Sequence, residues 1–190
     1  MKRIAIIVLL PLLILIFTAT NAFGVNQMEV SGVYEMTTAP AGFSQNWNNA
    51  YGVKVRLATQ GDWKNNVGLT FCFCQYPAKT TTPYLLGDGA LGNPNLNPVS
   101  AYSLGVSYKS SFGSVDDFLI PYAKGEFGAS QMSTTSRASH TNGYLGLGLG
   151  VTLNIKTNFN LFLESGFVLG LNSGVHNKMI PLHLGITIHR

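Results

Sequence analysis

Charged side chains recur on the polar sides of alternating segments, and these are the residues that could do chemistry. Acids and bases in one confined space could pair, conduct ions or transfer protons. Isolated charges are expensive to bury, so such groups must pair or be hydrated. We therefore expect an interior network of ion pairs and hydrogen bonds, structural rather than catalytic or conducting, whose members are Glu29, Glu35, Lys54, Arg56, Lys109, Lys124, Glu126, Glu164 and His183.

The chain has two cysteines, Cys72 and Cys74, two positions apart. On a strand, residues i and i+2 share a face but lie too far apart to bridge readily as a disulfide. A lone Cys-x-Cys also lacks the paired ligand sets of zinc sites. We expect two small interior residues, and the sequence predicts no metal or cofactor.

These residues lie in segments with a period of two, which is the period of a β-strand. Leucine or valine occupies every second position over 145–153, and glycine or a polar residue lies between. After a polar break at 156–158, residues 159–169 repeat the pattern, and Glu164 interrupts their apolar character. Such arms match the roughly 9–11 tilted residues with which a strand crosses a bilayer. They predict a hairpin of an outer-membrane β-barrel.

Eight segments have one apolar face and one face of small or polar residues. The aliphatic faces and the low charged fraction favour lipid on the outside and the charged face inside. The predicted strands are 28–37, 49–58, 66–76, 99–109, 119–130, 142–155, 159–169 and 179–189.

The connections alternate in length. Longer segments, rich in Pro, Asn, Ser and Thr, follow every odd strand, and shorter ones follow every even strand. A barrel with both termini in the periplasm has this asymmetry, with long loops outside. The segment 77–98 should be irregular and mobile. The predicted outer loops are 38–48, 77–98, 131–142 and 171–178, and the predicted turns are 59–65, 110–118 and 156–158.

Tyrosine and tryptophan cluster near the predicted strand ends. An amphipathic ring is suited to the level where hydrocarbon meets headgroups. We expect most of them at that level, and some, such as Tyr122, in the interior. The set is Tyr34, Trp47, Tyr51, Trp63, Tyr76, Tyr84, Tyr102, Tyr108, Tyr122 and Tyr144.

The first residues resemble an export signal. A basic start is followed by an apolar run over 4–17 and then by small residues. This order predicts a cleaved signal peptide over 1–22, with cleavage after Gly24 as the alternative, and a barrel domain over 23–190. The apolar run is shorter than the roughly 20 residues of a spanning helix, which argues against a membrane anchor.

Composition supports an exported barrel. Charged residues make up 11% of the chain, against about 25% in a typical soluble domain. The net charge is +4, of which Lys2 and Arg3 contribute two units to the leader. The remaining positive charge is too small and too scattered for a nucleic-acid partner.

Three stretches carry a resemblance: PYAKGEFG at 121–128, LFLESGF at 161–167 and PLHLGITIH at 181–189. With them the chain resembles the small outer-membrane β-barrel family of the OmpA/OmpX and opacity-protein type. The resemblance implies an all-β, eight-stranded antiparallel up-and-down transmembrane β-barrel in the outer membrane of a Gram-negative cell. It implies contact with outer-membrane lipid and lipopolysaccharide, insertion by the barrel-assembly machinery, and outer loops that meet an unknown extracellular partner. The family pattern also has an acid at Glu164.

Some small outer-membrane barrels are lipid A hydrolases or acyltransferases, so an enzyme is an alternative. Acyl transfer needs a nucleophile activated by a base, and the lipid A deacylase barrels carry His-x-Ser on one strand face. No histidine here has a serine two residues later. We therefore predict no catalysis at any of the four: His140, His176, His183 and His189.

A soluble periplasmic barrel that carries an apolar ligand is the other alternative. Gly61-Asp62-Trp63 matches the short GxW motif of lipocalins. Such a barrel has a polar outside and an apolar inside, whereas the aliphatic row over 145–153 favours lipid on the outside. The sequence thus predicts a structural or surface-interaction barrel, with the soluble carrier as the alternative.

Overall fold

A computed structural model describes residues 25–39, 47–60, 64–78, 84–85, 91–92, 98–134, 137–156, 158–171 and 178–189. The predicted leader and parts of the predicted outer loops lie outside these ranges. The described strands are β1 (Gln27–Ala39), β2 (Ala50–Gln60), β3 (Asn65–Tyr76), β4 (Tyr84–Leu85), β5 (Leu91–Gly92), β6 (Val99–Ser111), β7 (Leu119–Thr134), β8 (Arg137–Lys156), β9 (Phe159–Leu171) and β10 (Lys178–His189).

The eight long strands form one closed antiparallel barrel. Each pairs with its neighbours in the order β1-β2-β3-β6-β7-β8-β9-β10, and β10 returns to β1 with Gln27 opposite His189. Every long strand therefore has two partners, and the barrel has no open edge whose backbone groups would need water. The prediction of eight strands in an antiparallel barrel is confirmed. The described part of the chain contains no helix long and apolar enough to cross a membrane, a finding that does not bear on crossing by strands.

The two faces of the wall differ in the way that the period-two pattern predicts. Leu147, Leu149 and Leu184 point outward and are 74%, 70% and 66% exposed. Charged residues of the opposite parity are buried inside, among them Glu29 and Arg56. This arrangement reverses that of a water-soluble protein, so the outer surface is suited to hydrocarbon.

The two ends of the barrel differ in their connections. At the short-turn end, which includes the β6–β7 and β8–β9 connections, the backbone N–H of His189 donates to the carbonyl of Asn158 at 3.1 Å. The first and last strands therefore begin and end there. The opposite end, where β1 ends and β10 begins, carries the two longest connections, β1–β2 and β3–β6, and is called the long-loop end below.

Two loop predictions need correction at the long-loop end. The predicted loop 131–142 is mostly strand, since β7 and β8 stay paired as far as Thr134 and Arg137. Its Ser, Thr and Gln residues can continue a ladder, because the backbone makes the hydrogen bonds and these polar side chains need no apolar surroundings. The segment 77–98, predicted to be irregular, contains a small hairpin in which β4 pairs with β5.

Candidate functional site: the charged interior

The first interior cluster lies near the short-turn end and centres on Glu29 of β1. The ammonium of Lys109 lies 2.8 Å from Oε1 of Glu29, and Nη1 of Arg56 lies 3.5 Å from the same oxygen. The amide of Gln27 donates to Oε1 of Glu29 at 2.9 Å. One carboxylate thus faces two cations, so this cluster carries a net positive charge.

Neutral groups hold Arg56 within that cluster. Its Nε donates to Oγ of Ser107 at 2.7 Å, and its Nη2 donates to Oδ1 of Asn66 at 2.5 Å. These partners come from β6 and β3, so the guanidinium spans strands that do not pair with β1. A buried guanidinium needs such partners because its donors are fixed in a planar fork.

The second cluster lies at mid-height and centres on Glu126 of β7. The ammonium of Lys54 lies 2.5 Å from its Oε2. Its Oε1 accepts hydrogen bonds from the hydroxyls of Thr70 at 3.0 Å and Tyr144 at 2.6 Å. Four strands thus meet at one carboxylate.

The third cluster contains the Lys124–Glu164 ion pair, in which Nζ contacts Oε1. The Tyr122 hydroxyl donates to Oε2 of Glu164 at 3.0 Å. His183 of β10 stands opposite Glu164 in the β9–β10 register and is buried on the same inner face. The ring of Tyr122 also lies under the ammonium of Lys109, 3.9 Å from its centroid, and so links this cluster to the first.

Glu35 lies apart from these clusters, toward the long-loop end. Its Oε2 accepts a hydrogen bond from the Tyr76 hydroxyl at 2.5 Å. Among the described residues no ion pair includes Glu35. The structure therefore places all of the predicted charged residues and His183 on the inner face, but it brings Glu35 together with a different set of partners.

Three tyrosines belong to this interior, of which the sequence analysis named Tyr122. Tyr76, Tyr122 and Tyr144 are buried, so two further members of the aromatic set face the interior. Each donates to a carboxylate. The two-residue period of the strands indicates such an interior position, since Tyr122 shares a face with Lys124 and Glu126 along β7.

The clusters close the middle of the barrel. A cavity of about 10 Å³ remains between them, lined by Glu29, Lys54, Arg56, Lys124 and His183 among others. This volume is at the lower limit of roughly 10–15 Å³ that holds one water molecule. Larger spaces lie on either side, about 70 Å³ toward the long-loop end and about 620 Å³ at the mouth of the short-turn end. The side chains of the three clusters therefore fill the middle of the barrel and connect its strands.

Two cysteines face the first of these larger spaces. The sulfurs of Cys72 and Cys74 lie 3.5 Å apart, and both are free thiols. With Glu35 they form the one group of potential metal ligands within the described ranges. Across the same ranges no histidine nitrogen bonds to a serine hydroxyl, as a Ser–His catalytic pair would require.

A closed barrel of eight antiparallel strands, aliphatic outside and charged within, has the architecture of a transmembrane β-barrel, and the chain has the fold of the small outer-membrane barrels. Among solved structures it is similar to Neisserial surface protein A, with a TM-score of 0.61 and 12% identity over 86% of this chain and 95% of that one. It is also similar to the N-terminal β-barrel domain of Pseudomonas aeruginosa OprF, with a TM-score of 0.51 and 14% identity over 87% and 99% of the two chains. At such identities the likeness shows the fold alone. No protein-family model matches the sequence, and no curated protein matches it either.

Proposed function

We propose that the protein is an outer-membrane β-barrel with a structural or surface-interaction role and no catalytic activity. Residues 1–22 act as its signal peptide, and residues 23–190 form the barrel domain. The observation that carries this proposal is the aliphatic exterior, with residues such as Leu147 and Leu149 more than two-thirds exposed. Such a surface is unfavourable in water and favourable against acyl chains.

The interior supports a structural role rather than transport. Its carboxylates at Glu29, Glu126 and Glu164 are each paired with lysine or arginine. Paired charges of this kind fill a narrow barrel and fix the register of strands that are not neighbours. We propose that this network is the functional content of the predicted site, and that it includes His183, which stands opposite Glu164.

The partners follow from the same architecture. Outer-membrane lipid and lipopolysaccharide surround the barrel, and the barrel-assembly machinery inserts it through β10. Connections at the long-loop end meet an extracellular partner, a proposal in keeping with the description of one structural neighbour as a surface protein. Nucleic acid and cofactors play no part in this function.

Membrane fractionation with protease treatment tests the proposal. We expect the protein in the outer-membrane fraction, with heat-modifiable migration on gels. We expect an added protease to cleave the 77–98 segment in intact cells. Cells opened by osmotic shock provide the control for access from the periplasm. Recovery of the protein in the shock fluid without detergent would support the soluble carrier instead.

Lipid A analysis tests the absence of catalysis separately. Overexpression should leave the acyl chains of lipopolysaccharide unchanged by mass spectrometry. Loss of an acyl chain, abolished by His183→Ala, would identify a lipid A hydrolase and contradict the proposal.

A further inference from the structure

A group of soft and hard ligand atoms converges inside the barrel toward the long-loop end. Glu35 projects from β1, and Cys72 and Cys74 project from β3. Their ligand atoms all lie within 4.8 Å of one another. Strand β2 separates β1 from β3, and Gly52 of β2 stands opposite both Cys74 and Val33. Glycine is required at position 52, because a Cβ there would lie 1.9 Å from the carbonyl oxygen of Phe73 and 2.7 Å from the sulfur of Cys74.

The lack of an ion-pair partner for Glu35 is the second observation. Each of the carboxylates Glu29, Glu126 and Glu164 is in an ion pair with lysine or arginine. Glu35 is half-buried and has no such partner in the part of the chain that the structure describes, although Tyr76 donates a hydrogen bond to it. A carboxylate in a confined interior is stabilised by a cation. The groups that face Glu35 are the two thiols and the Tyr76 hydroxyl, while Lys54, which lines the same cavity, is paired with Glu126.

A second kind of soft ligand lies beside the group. The Tyr76 hydroxyl approaches both Oε2 of Glu35 and, at 3.1 Å, the thioether sulfur of Met179. Met179 and Cys74 belong to the same buried cluster. Thiolate and thioether sulfur favour soft or borderline metal ions over calcium and magnesium.

From these observations we propose that Glu35, Cys72 and Cys74 form a binding site for one thiophilic divalent metal ion, of which zinc is the physiological example. Two sulfurs at 2.3 Å from a tetrahedral zinc lie about 3.8 Å apart, so the observed 3.5 Å needs to open by a few tenths of an ångström. Three protein ligands leave a fourth position, which faces the cavity of about 70 Å³ lined by these residues. Binding displaces one proton from each thiol to the solvent, because the thiolate is the ligand.

The site is tested on the full-length mature protein, extracted in detergent and reduced. We expect isothermal titration with zinc chloride alone to give one ion per chain and the release of about two protons. Cadmium should produce the ultraviolet charge-transfer band of metal–thiolate bonds. Cys72→Ser and Cys74→Ser should each weaken binding by at least about tenfold and reduce the band, on the scale of metal-site mutations generally. Glu35→Gln should weaken binding and keep the band.

Asp116→Asn is the matched control for Glu35→Gln, because Asp116 is an exposed acid at the opposite end of the barrel. It should bind zinc as the unmodified protein does. Heat-modifiable migration checks the folding of each variant. If a cysteine variant fails to fold, the unmodified protein is tested instead. Zinc should then protect both of its thiols from alkylation.

Three results would overturn the proposal. The first is the absence of zinc binding by the folded, reduced protein, with unprotected thiols. The second is undiminished binding by a folded Cys72→Ser, Cys74→Ser double variant. The third is a Cys72–Cys74 disulfide in protein isolated from membranes without reductant. None of these results bears on the proposed outer-membrane location, which membrane fractionation tests separately.

Discussion

Lys124 on β7 and Glu164 on β9 form an ion pair across β8, the strand that separates them. Gly148 of β8 stands opposite Lys124 and beneath the pair, and a Cβ there would lie 3.3 Å from Oε1 of Glu164. Gly148 thus leaves room above β8 for the charged side chains of both neighbouring strands to meet.

Removal of one partner of this pair should destabilise the barrel strongly. Glu164→Gln leaves the Lys124 ammonium buried without its carboxylate, for which we expect a loss of about 3–5 kcal/mol in the free energy of unfolding. The Lys124→Met, Glu164→Leu double variant should recover much of the loss, because no charge then remains unpaired. Urea unfolding in lipid vesicles measures both, with Lys156→Met at an exposed position as the control. Additive losses in the double variant would contradict this account of the pair.

Alanine substitutions should destabilise the barrel at glycines that are tightly packed and have little effect at glycines that face open space. A Cβ on Gly105 would lie 2.3 Å from the Tyr144 hydroxyl and 2.8 Å from the carbonyl oxygen of Phe127, whereas a Cβ on Gly125 meets nothing within 4 Å. Gly105→Ala should therefore lower the free energy of unfolding by about 1–3 kcal/mol, the usual loss on overpacking. Gly125→Ala, the same change on a neighbouring strand, should leave it within about 0.5 kcal/mol. Equal losses would mean that backbone effects, rather than the contact with Tyr144, decide the outcome.

A charge on the outer surface should be tolerated at the rim and not in the middle. Leu147 lies within the aliphatic row of β8, and Phe118 lies in the connection at the short-turn end, both largely exposed. Leu147→Arg should destabilise the barrel by about 2–4 kcal/mol in a bilayer, and Phe118→Arg by about 0–1 kcal/mol. Urea titration of the two variants in vesicles gives the difference. A protein that is indifferent to Leu147→Arg would not have lipid at this surface.

The closed middle of the barrel predicts that the protein does not conduct ions. In planar bilayers we expect no steady current, because the space between the charged clusters is about 10 Å³. A Lys54→Ala, Glu126→Ala variant removes the ion pair that crosses the mid-height of the interior and should allow discrete openings. A Tyr51→Ala variant, changed on the exposed outer face, should stay silent. A steady current through the unmodified protein would refute the plugged interior.

The sequence predicted the wall of the barrel better than its contents. Each long strand was found because two-residue periodicity is a local property, visible wherever a lipid-facing row such as Leu145–Leu153 alternates with small residues. The limits of β7 and β8 were missed where that row ends, since Ser and Thr past the apolar belt are typical of loops as well as strands. Parity along β7 placed Tyr122 with Lys124 and Glu126, whereas the other tyrosines were not sorted one by one between the interior and the headgroup level.

The partners of the charged residues could not be predicted in the same way. Lys54 on β2 meets Glu126 on β7, and Arg56 on β2 meets Ser107 on β6. These contacts join strands that do not pair, so they depend on the stagger and curvature of the whole barrel. The proposed metal site could not be predicted from the sequence for the same reason. Its third ligand, Glu35, lies 37 positions before Cys72 and two strands away.

The ladder between β1 and β10 has a kinetic consequence. Met28 pairs with Ile188, so these hydrogen bonds join segments 160 positions apart, and none of them can form before both segments have been synthesised. Until then β1 and β10 each expose an edge of unpaired backbone N–H and C=O groups, which favours aggregation. The rate of ring closure, rather than of strand formation, should therefore limit how fast the native state appears.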